Sequence, residues 1–169
     1  GKRHYQTLKE QGHSVNGIDL GASLENELDR GYQAVFICTP THLHIDQATM
    51  CAERGIPYFC EKPLSNGWDG VNELIRKSTT TPNMVGCNLR FLPSLQKFRD
   101  TVFSKRGPFS VLSVFGYNLN KWRKAGCKGY SQKASEGGHI VLQAIHEIDY
   151  LAWIFGDGRV LYATNQNIQ

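Results

Sequence analysis

The sequence predicts an α/β fold, a parallel sheet of βαβ units followed by a second α/β segment. Three observations lead there. Short apolar runs alternate with amphipathic segments up to residue 87. Two of those runs, 34–38 and 57–60, end in polar turns, Thr39-Pro40-Thr41 and Glu61-Lys62-Pro63. Beyond Asn88 the segments lengthen, and a stretch rich in Lys, Gly and Ser interrupts them at 119–136. Strand exits of an open parallel sheet share one edge, where ligands bind. Thr39, Pro40, His44, Glu61 and Lys62 are therefore expected near one crevice.

The elements follow in order. Residues 3–11 read as a helix closed by Gly12, and 13–19 as a strand ending on Asp19. A short helix over 23–30 is closed by Gly31. The run 34–38 reads as a buried strand, and a helix follows from about 42 to 54, with Ile45, Ala48 and Ala52 on one face. Thr41 suits its N-cap and Gly55 its C-terminal cap, with Pro57 just beyond. Then come a strand at 57–60, a helix at 67–77 turning Trp68, Val71, Leu74 and Ile75 inward, and a strand at 83–87. The domain boundary is placed near Asn88, giving domains 1–87 and 88–169. The second begins with a helix at 93–104, Pro93 in its first turn and Gly107 after it. A strand at 109–118, the loop at 119–136 and a helix at 140–155 follow. That helix carries Val141, Ile145, Ile148 and Ala152 on one side, and a last strand begins at 159–165.

Composition sets bounds. The 169 residues are 40% hydrophobic and 20% charged, which supports a packed core rather than disorder. Uninterrupted apolar runs such as 34–38 are far too short to span a bilayer. A formal charge of +4 permits an anionic cofactor without demanding nucleic acid. Five cysteines, at 38, 51, 60, 87 and 127, show no metal-like pairing and read as reduced thiols of a cytoplasmic protein. No targeting segment is visible, and the chain does not open on Met.

Three blocks carry a resemblance: CTPTHLH at 38–44, EKPLS at 61–65 and GGHIVLQAIHEIDYLAWIFG at 137–156, supported by NLRF at 88–91. Their order and spacing resemble the Gfo/Idh/MocA family of nicotinamide-dependent oxidoreductases across essentially the whole chain. The resemblance implies an incomplete Rossmann-type parallel sheet, part of an NAD(P)-binding domain, followed by the start of a Gfo/Idh/MocA-type α/β substrate domain whose open sheet often mediates oligomers. It implies NAD or NADP as cofactor and a sugar, sugar acid or cyclitol as substrate, with no nucleic acid or membrane partner. Lys62 and His146 resemble the family's catalytic pair. Lys62 would hold the reacting oxygen and stabilise alkoxide charge, and His146 suits proton transfer at neutral pH. Gly1, Asp19, Thr39, Pro40, His44 and Glu61 are the expected cofactor-side residues, with Glu61 also supporting the Lys62 loop. Asp19 serves either the adenosine ribose or a turn. Asp149 shares the His146 face, one turn on, and either orients the imidazole, binds substrate or is simply a solvated helix acid. Trp122 and Arg123 suit stacking on a sugar ring and pairing with an acidic substituent, or belong to a solvated loop.

The sequence departs from the family pattern in two ways. Gly1 resembles the last glycine of a GxGxxG loop whose first strand and first two glycines are absent, and the family's second domain runs past Gln169. An interior fragment of a longer protein is expected, one that alone binds NAD poorly, is marginally stable and associates. Where many relatives carry an Asp one turn before the histidine, this chain has Leu142 and Gln143. An amide does not exchange a proton as a carboxylate does. A non-catalytic relative that binds nucleotide or sugar is the alternative. His42-x-His44 also suggests a metal-dependent hydrolase, but later ligands are scarce.

Overall fold

The computed structural model describes residues 1–19, 22–105, 107–116, 142 and 144–164. They divide into two compact units, Gly1–Cys87 with Leu142, and 88–116 with 144–164.

The first unit opens with helix α1 (Lys2–Glu10) and the single-turn helix α2 (Leu24–Leu28). Ser23 caps α2, its hydroxyl accepting the Asn26 N–H at 3.4 Å. Strands β1 (Val35–Ile37), β2 (Tyr58–Cys60) and β3 (Asn83–Val85) form a parallel sheet in the order β1-β2-β3. Val35 faces Tyr58, which in turn faces Asn83, so the strands run in step. A 3-10 turn (Thr41–Leu43) and helix α3 (His44–Glu53) connect β1 to β2, and helix α4 (Val71–Lys77) connects β2 to β3.

His44, Ala48, Cys51 and Ala52 are the buried residues of α3, at the spacing of one helical stripe. The last three pack with Leu28, Ile37, Tyr58, Cys60 and Leu74 into one core. Each fully buried aliphatic side chain here is worth ~1.5–3 kcal/mol over exposure. The small residues on α3 let the helix lie close to the sheet. Phe36 and Phe59 stack as a cross-strand pair, ring centres 5.2 Å apart, and the His4 ring of α1 packs on both.

The second unit holds a 3-10 turn (Asn88–Phe91), helix α5 (Pro93–Ser104) and helix α6 (Ile145–Phe155). Phe155 of α6 packs edge-on to Phe98 of α5, with centroids 6.4 Å apart. No helix among the described residues is long and apolar enough to cross a membrane.

Several sequence expectations need correction. Residues 13–19 form no strand; the stretch is polar, broken by Asn16-Gly17, and meets no ladder among the described residues. The described parts of the expected strands at 109–118 and 159–165 likewise join no ladder among the described residues, and Leu112 is 89% exposed. Helix α4 begins at Val71 rather than 67, so Trp68 precedes it and is 81% exposed. Ile75 is exposed too, and only Val71 and Leu74 point inward. On α6 Ile148 is exposed and Ile154 is the buried residue, while Val141 lies outside the described residues.

Candidate active site

The strand exits of the first unit meet at the carboxyl edge of the sheet. Glu61 N–H donates to the Ile37 carbonyl at 2.9 Å and Gly86 N–H to that of Cys60 at 2.8 Å, so the exits stay paired just past the strands. Beyond β1, the Thr39 hydroxyl donates to the Gln47 side chain of α3 at 2.7 Å. Pro40, at φ −60° and ψ 145°, starts the 3-10 turn. Thr41 is not the helix cap expected of it. Pro40 holds the cap position of the turn and Leu43 that of α3, and Thr41 is buried inside the turn.

His44 is the first residue of α3 and only 1% exposed. Its Nδ1 lies 2.8 Å from the Pro63 carbonyl and its Nε2 2.9 Å from that of Thr39. Carbonyls only accept, so a neutral ring donates to one of them, and both bonds together use both N–H groups of the imidazolium. His44 therefore acts on the crevice through these two backbone groups rather than presenting a free nitrogen. The metal-pair reading of His42 and His44 meets the same arrangement.

Beyond β2, Glu61 is held twice. Its Oε1 accepts from His4 Nε2 at 2.6 Å, and its Oε2 accepts the Lys62 N–H at 3.2 Å. Its carboxylate thus braces the loop while Lys62 stands half-buried at the exit. The Lys62–Pro63 peptide is cis. Gly86 permits this packing: a Cβ there would lie 2.8 Å from Phe59 Cζ and 3.4 Å from Glu61 Oε2. Burial pushes the Cys38 thiol up from its ordinary value and that of Cys60 up to about 12, so both stay protonated at neutral pH.

The nucleotide-side residues gather less closely. A Cβ on Gly1 would sit 3.7 Å from Cys38 Cβ, which places the start of α1 beside the end of β1. The first turn of α1 has neither a side-chain cap nor an acidic residue, leaving its amides to an anion. That arrangement fits a dinucleotide pyrophosphate. Asp19 does not end a strand; its carbonyl accepts the Ala22 N–H at 3.2 Å, as in a turn. A cavity of about 260 Å³ between the start of α3 and 65–70 is lined by His42, Asp46, Asn66 and Asp69. None of the expected cofactor residues lines it, and its two carboxylates disfavour a phosphate.

In the second unit, His146 lies half-buried in the first turn of α6. Asp149, its side chain 11% exposed, receives a forked pair from Arg90, Nε to Oδ2 at 2.9 Å and Nη2 to Oδ1 at 2.5 Å. Asp149 is therefore no solvated acid. Arg90 also lies over the Trp153 ring, 5.9 Å from its centre. Trp122, Arg123 and Gln143 lie outside the described residues. Sequence reasoning missed His4 and Arg90. Arg90 sits inside the quoted NLRF block; His4 meets Glu61 across 57 residues, and no local signal marks it.

A parallel sheet with helical crossovers, and polar groups at its carboxyl edge beside an uncapped helix start, defines a nucleotide-binding domain of Rossmann type. The chain belongs to the GFO_IDH_MocA oxidoreductase family with the NAD-binding Rossmann fold, which it matches over residues 3–89. It is 30% identical over 165 residues to the 2,7-anhydro-N-acetylneuraminate hydratase of Mediterraneibacter gnavus, covering 92% of this chain and 43% of that protein. It is 28% identical over 147 residues to the inositol 2-dehydrogenase of Rhizobium meliloti, covering 85% of this chain and 40% of that protein. Among solved structures, the WlbA (WbpB) dehydrogenase from Thermus thermophilus, in complex with NAD and UDP-GlcNAcA, shares the fold. It has a TM-score of 0.70 and 23% identity, over 95% of this chain and 60% of that one. The chain spans less than half the length of the curated relatives it matches.

Proposed function

We propose that the full protein moves hydride between NAD or NADP and a hydroxyl-bearing carbon of a sugar, sugar acid or cyclitol. The observation that carries this reading is the stance of Lys62, on a loop braced from both sides at the carboxyl edge of a nucleotide-binding sheet. Bound nicotinamide supplies the hydride acceptor or donor. Lys62 hydrogen-bonds the reacting oxygen and stabilises the charge that develops on it. His146 takes or returns the hydroxyl proton. The start of α1 at Gly1 receives the pyrophosphate, Asp19 the adenosine ribose, and Thr39 and Pro40 line the cofactor side. Asp149, held by Arg90, fixes the face of α6 that carries His146. Trp122 and Arg123 contact the substrate. The protein works in the cytoplasm as a homo-oligomer.

A second reading, a non-catalytic relative that binds nucleotide or sugar, is favoured by one observation: Gln143 stands near where relatives often carry an Asp. Turnover separates the two. Full-length protein is assayed at the nicotinamide absorbance with inositols, aldoses and sugar acids, and NAD binding is measured by calorimetry. The expected result is turnover with at least one polyol. Lys62→Met and His146→Asn are each expected to lower kcat by about 10²–10⁴-fold, with the NAD affinity kept. NAD binding without turnover on any of these compounds would favour the non-catalytic reading.

A further inference from the structure

We propose that His44 is a positioning residue for Lys62, tying the loop after β2 to the turn after β1 through two backbone carbonyls. The inference rests on the role given to Lys62 above. Three features carry it. First, the imidazole spans two different strand exits: Nδ1 meets the carbonyl of Pro63, the residue directly after Lys62, and Nε2 meets that of Thr39. Secondly, the post is rigid. His44 continues the stripe of Ala48, Cys51 and Ala52 that seats α3 in the core, and the ring itself is buried. Thirdly, the other side of Lys62 is held independently, because Glu61 is bonded to His4 of α1 and to the Lys62 amide. The backbone on either side of the lysine is thus pinned by one imidazole from α3 and another from α1.

Pro63 has no N–H, so its residue contributes to this link only through its carbonyl. An apolar side chain at 44 would remove whatever the ring donates to these carbonyls, one N–H from a neutral ring or two from an imidazolium. A functional side chain on a loop needs support of this kind, since a displacement of about 1 Å can cost ~10²-fold in rate. The two contacts are also separable. An asparagine amide nitrogen stands near the place of Nδ1, and a glutamine amide nitrogen near that of Nε2. His44→Asn therefore keeps the Pro63 tether, and His44→Gln keeps the Thr39 tether.

The test uses the full-length protein with His44→Asn, His44→Gln and His44→Leu. Steady-state kinetics are paired with hydrogen exchange of peptides covering 61–66 and 45–54. His44→Gln and His44→Leu are expected to lose about tenfold or more in kcat, with KM for NAD changed less. His44→Asn is expected to recover most of that loss. Exchange in 61–66 should quicken in the Gln and Leu variants only, with 45–54 unchanged. Equal losses in Asn and Gln, or unchanged exchange in 61–66, would overturn the proposal. If His44→Leu does not fold, the order of the Asn and Gln variants decides alone. If the wild-type protein turns over no polyol, the functional reading fails by itself. The order of exchange in 61–66 then still supports the tether or rejects it.

Discussion

The forked Arg90–Asp149 pair joins the turn at Asn88–Phe91 to α6 by two parallel N–H···O bonds. Removing one partner leaves the other charge half-buried without its counterpart. Asp149→Asn should therefore cost about 1–3 kcal/mol of stability. Arg90→Lys should cost nearly as much, because an ammonium keeps the charge but not the planar fork. Urea midpoints of the two variants check both expectations. The buried thiols give a pH prediction. Burial raises Cys51 from its ordinary value of 9.0 to about 11 and Cys60 to about 12. Folding thus favours their protonated forms. Their contribution is fully present below pH 9, where the unfolded thiols begin to ionise, and is lost as pH rises through 11 to 12. Stability measured by urea should be flat in this respect from pH 7 to 8 and fall between pH 9 and 11. Replacing both cysteines with alanine should flatten that fall. At the residue scale the sequence showed which side chains stand at the strand exits, because Thr39 and Glu61-Lys62 come straight after apolar runs and His44 opens the helix that follows the first of them. It did not show their partners. Contacts such as His4 with Glu61 or Arg90 with Asp149 span more than fifty residues and leave no periodic trace.

The elements that the sequence marks well are those whose pattern is set by burial on a known face. β1 and β2 follow from short apolar runs, and α3 from a stripe of small residues ended by Gly55 at φ +63°. α5 follows from Pro93 at its first turn. The misread elements depend on something local sequence does not hold. A strand exists only with a partner ladder, and 13–19, 109–116 and 159–164 have none among the described residues. The late start of α4 has a local cause instead. Gly70 takes φ +73°, a left-handed conformation, and only from there does the helix run. A Cβ at this position would also come within 2.7 Å of Ile45 Cγ2 on α3. Gly70→Ala combines backbone strain with a clash between two helices. It should cost roughly 1–3 kcal/mol and lower the melting temperature, without changing the helical content of the folded state. Calorimetry with circular dichroism checks it. A change in melting temperature within experimental error would mean that the α3–α4 contact is easily relaxed.

At the scale of the whole molecule the two units differ in how they dispose of apolar surface. The first buries Ile37, Cys60, Ala48 and Leu74 in one continuous core between sheet and helices. The second has Val102 and Ile154 as its buried apolar residues among those described, while Leu112, Val114, Val160, Leu161 and Tyr162 are exposed. Five large apolar side chains in two short segments exceed the scattered surface residues of an ordinary monomer. Such a surface stabilises contact with any apolar partner, and in a pure sample the available partner is another copy. The 169-residue chain should therefore self-associate as its concentration rises, with the weight-average mass in sedimentation climbing across the micromolar range. Leu112→Ser, Val114→Ser and Leu161→Ser together should hold it monomeric. The triple variant should keep the melting temperature of the first unit, because none of the three residues belongs to that core. A wild-type chain that stays monomeric at high concentration would show that these segments find cover within the chain.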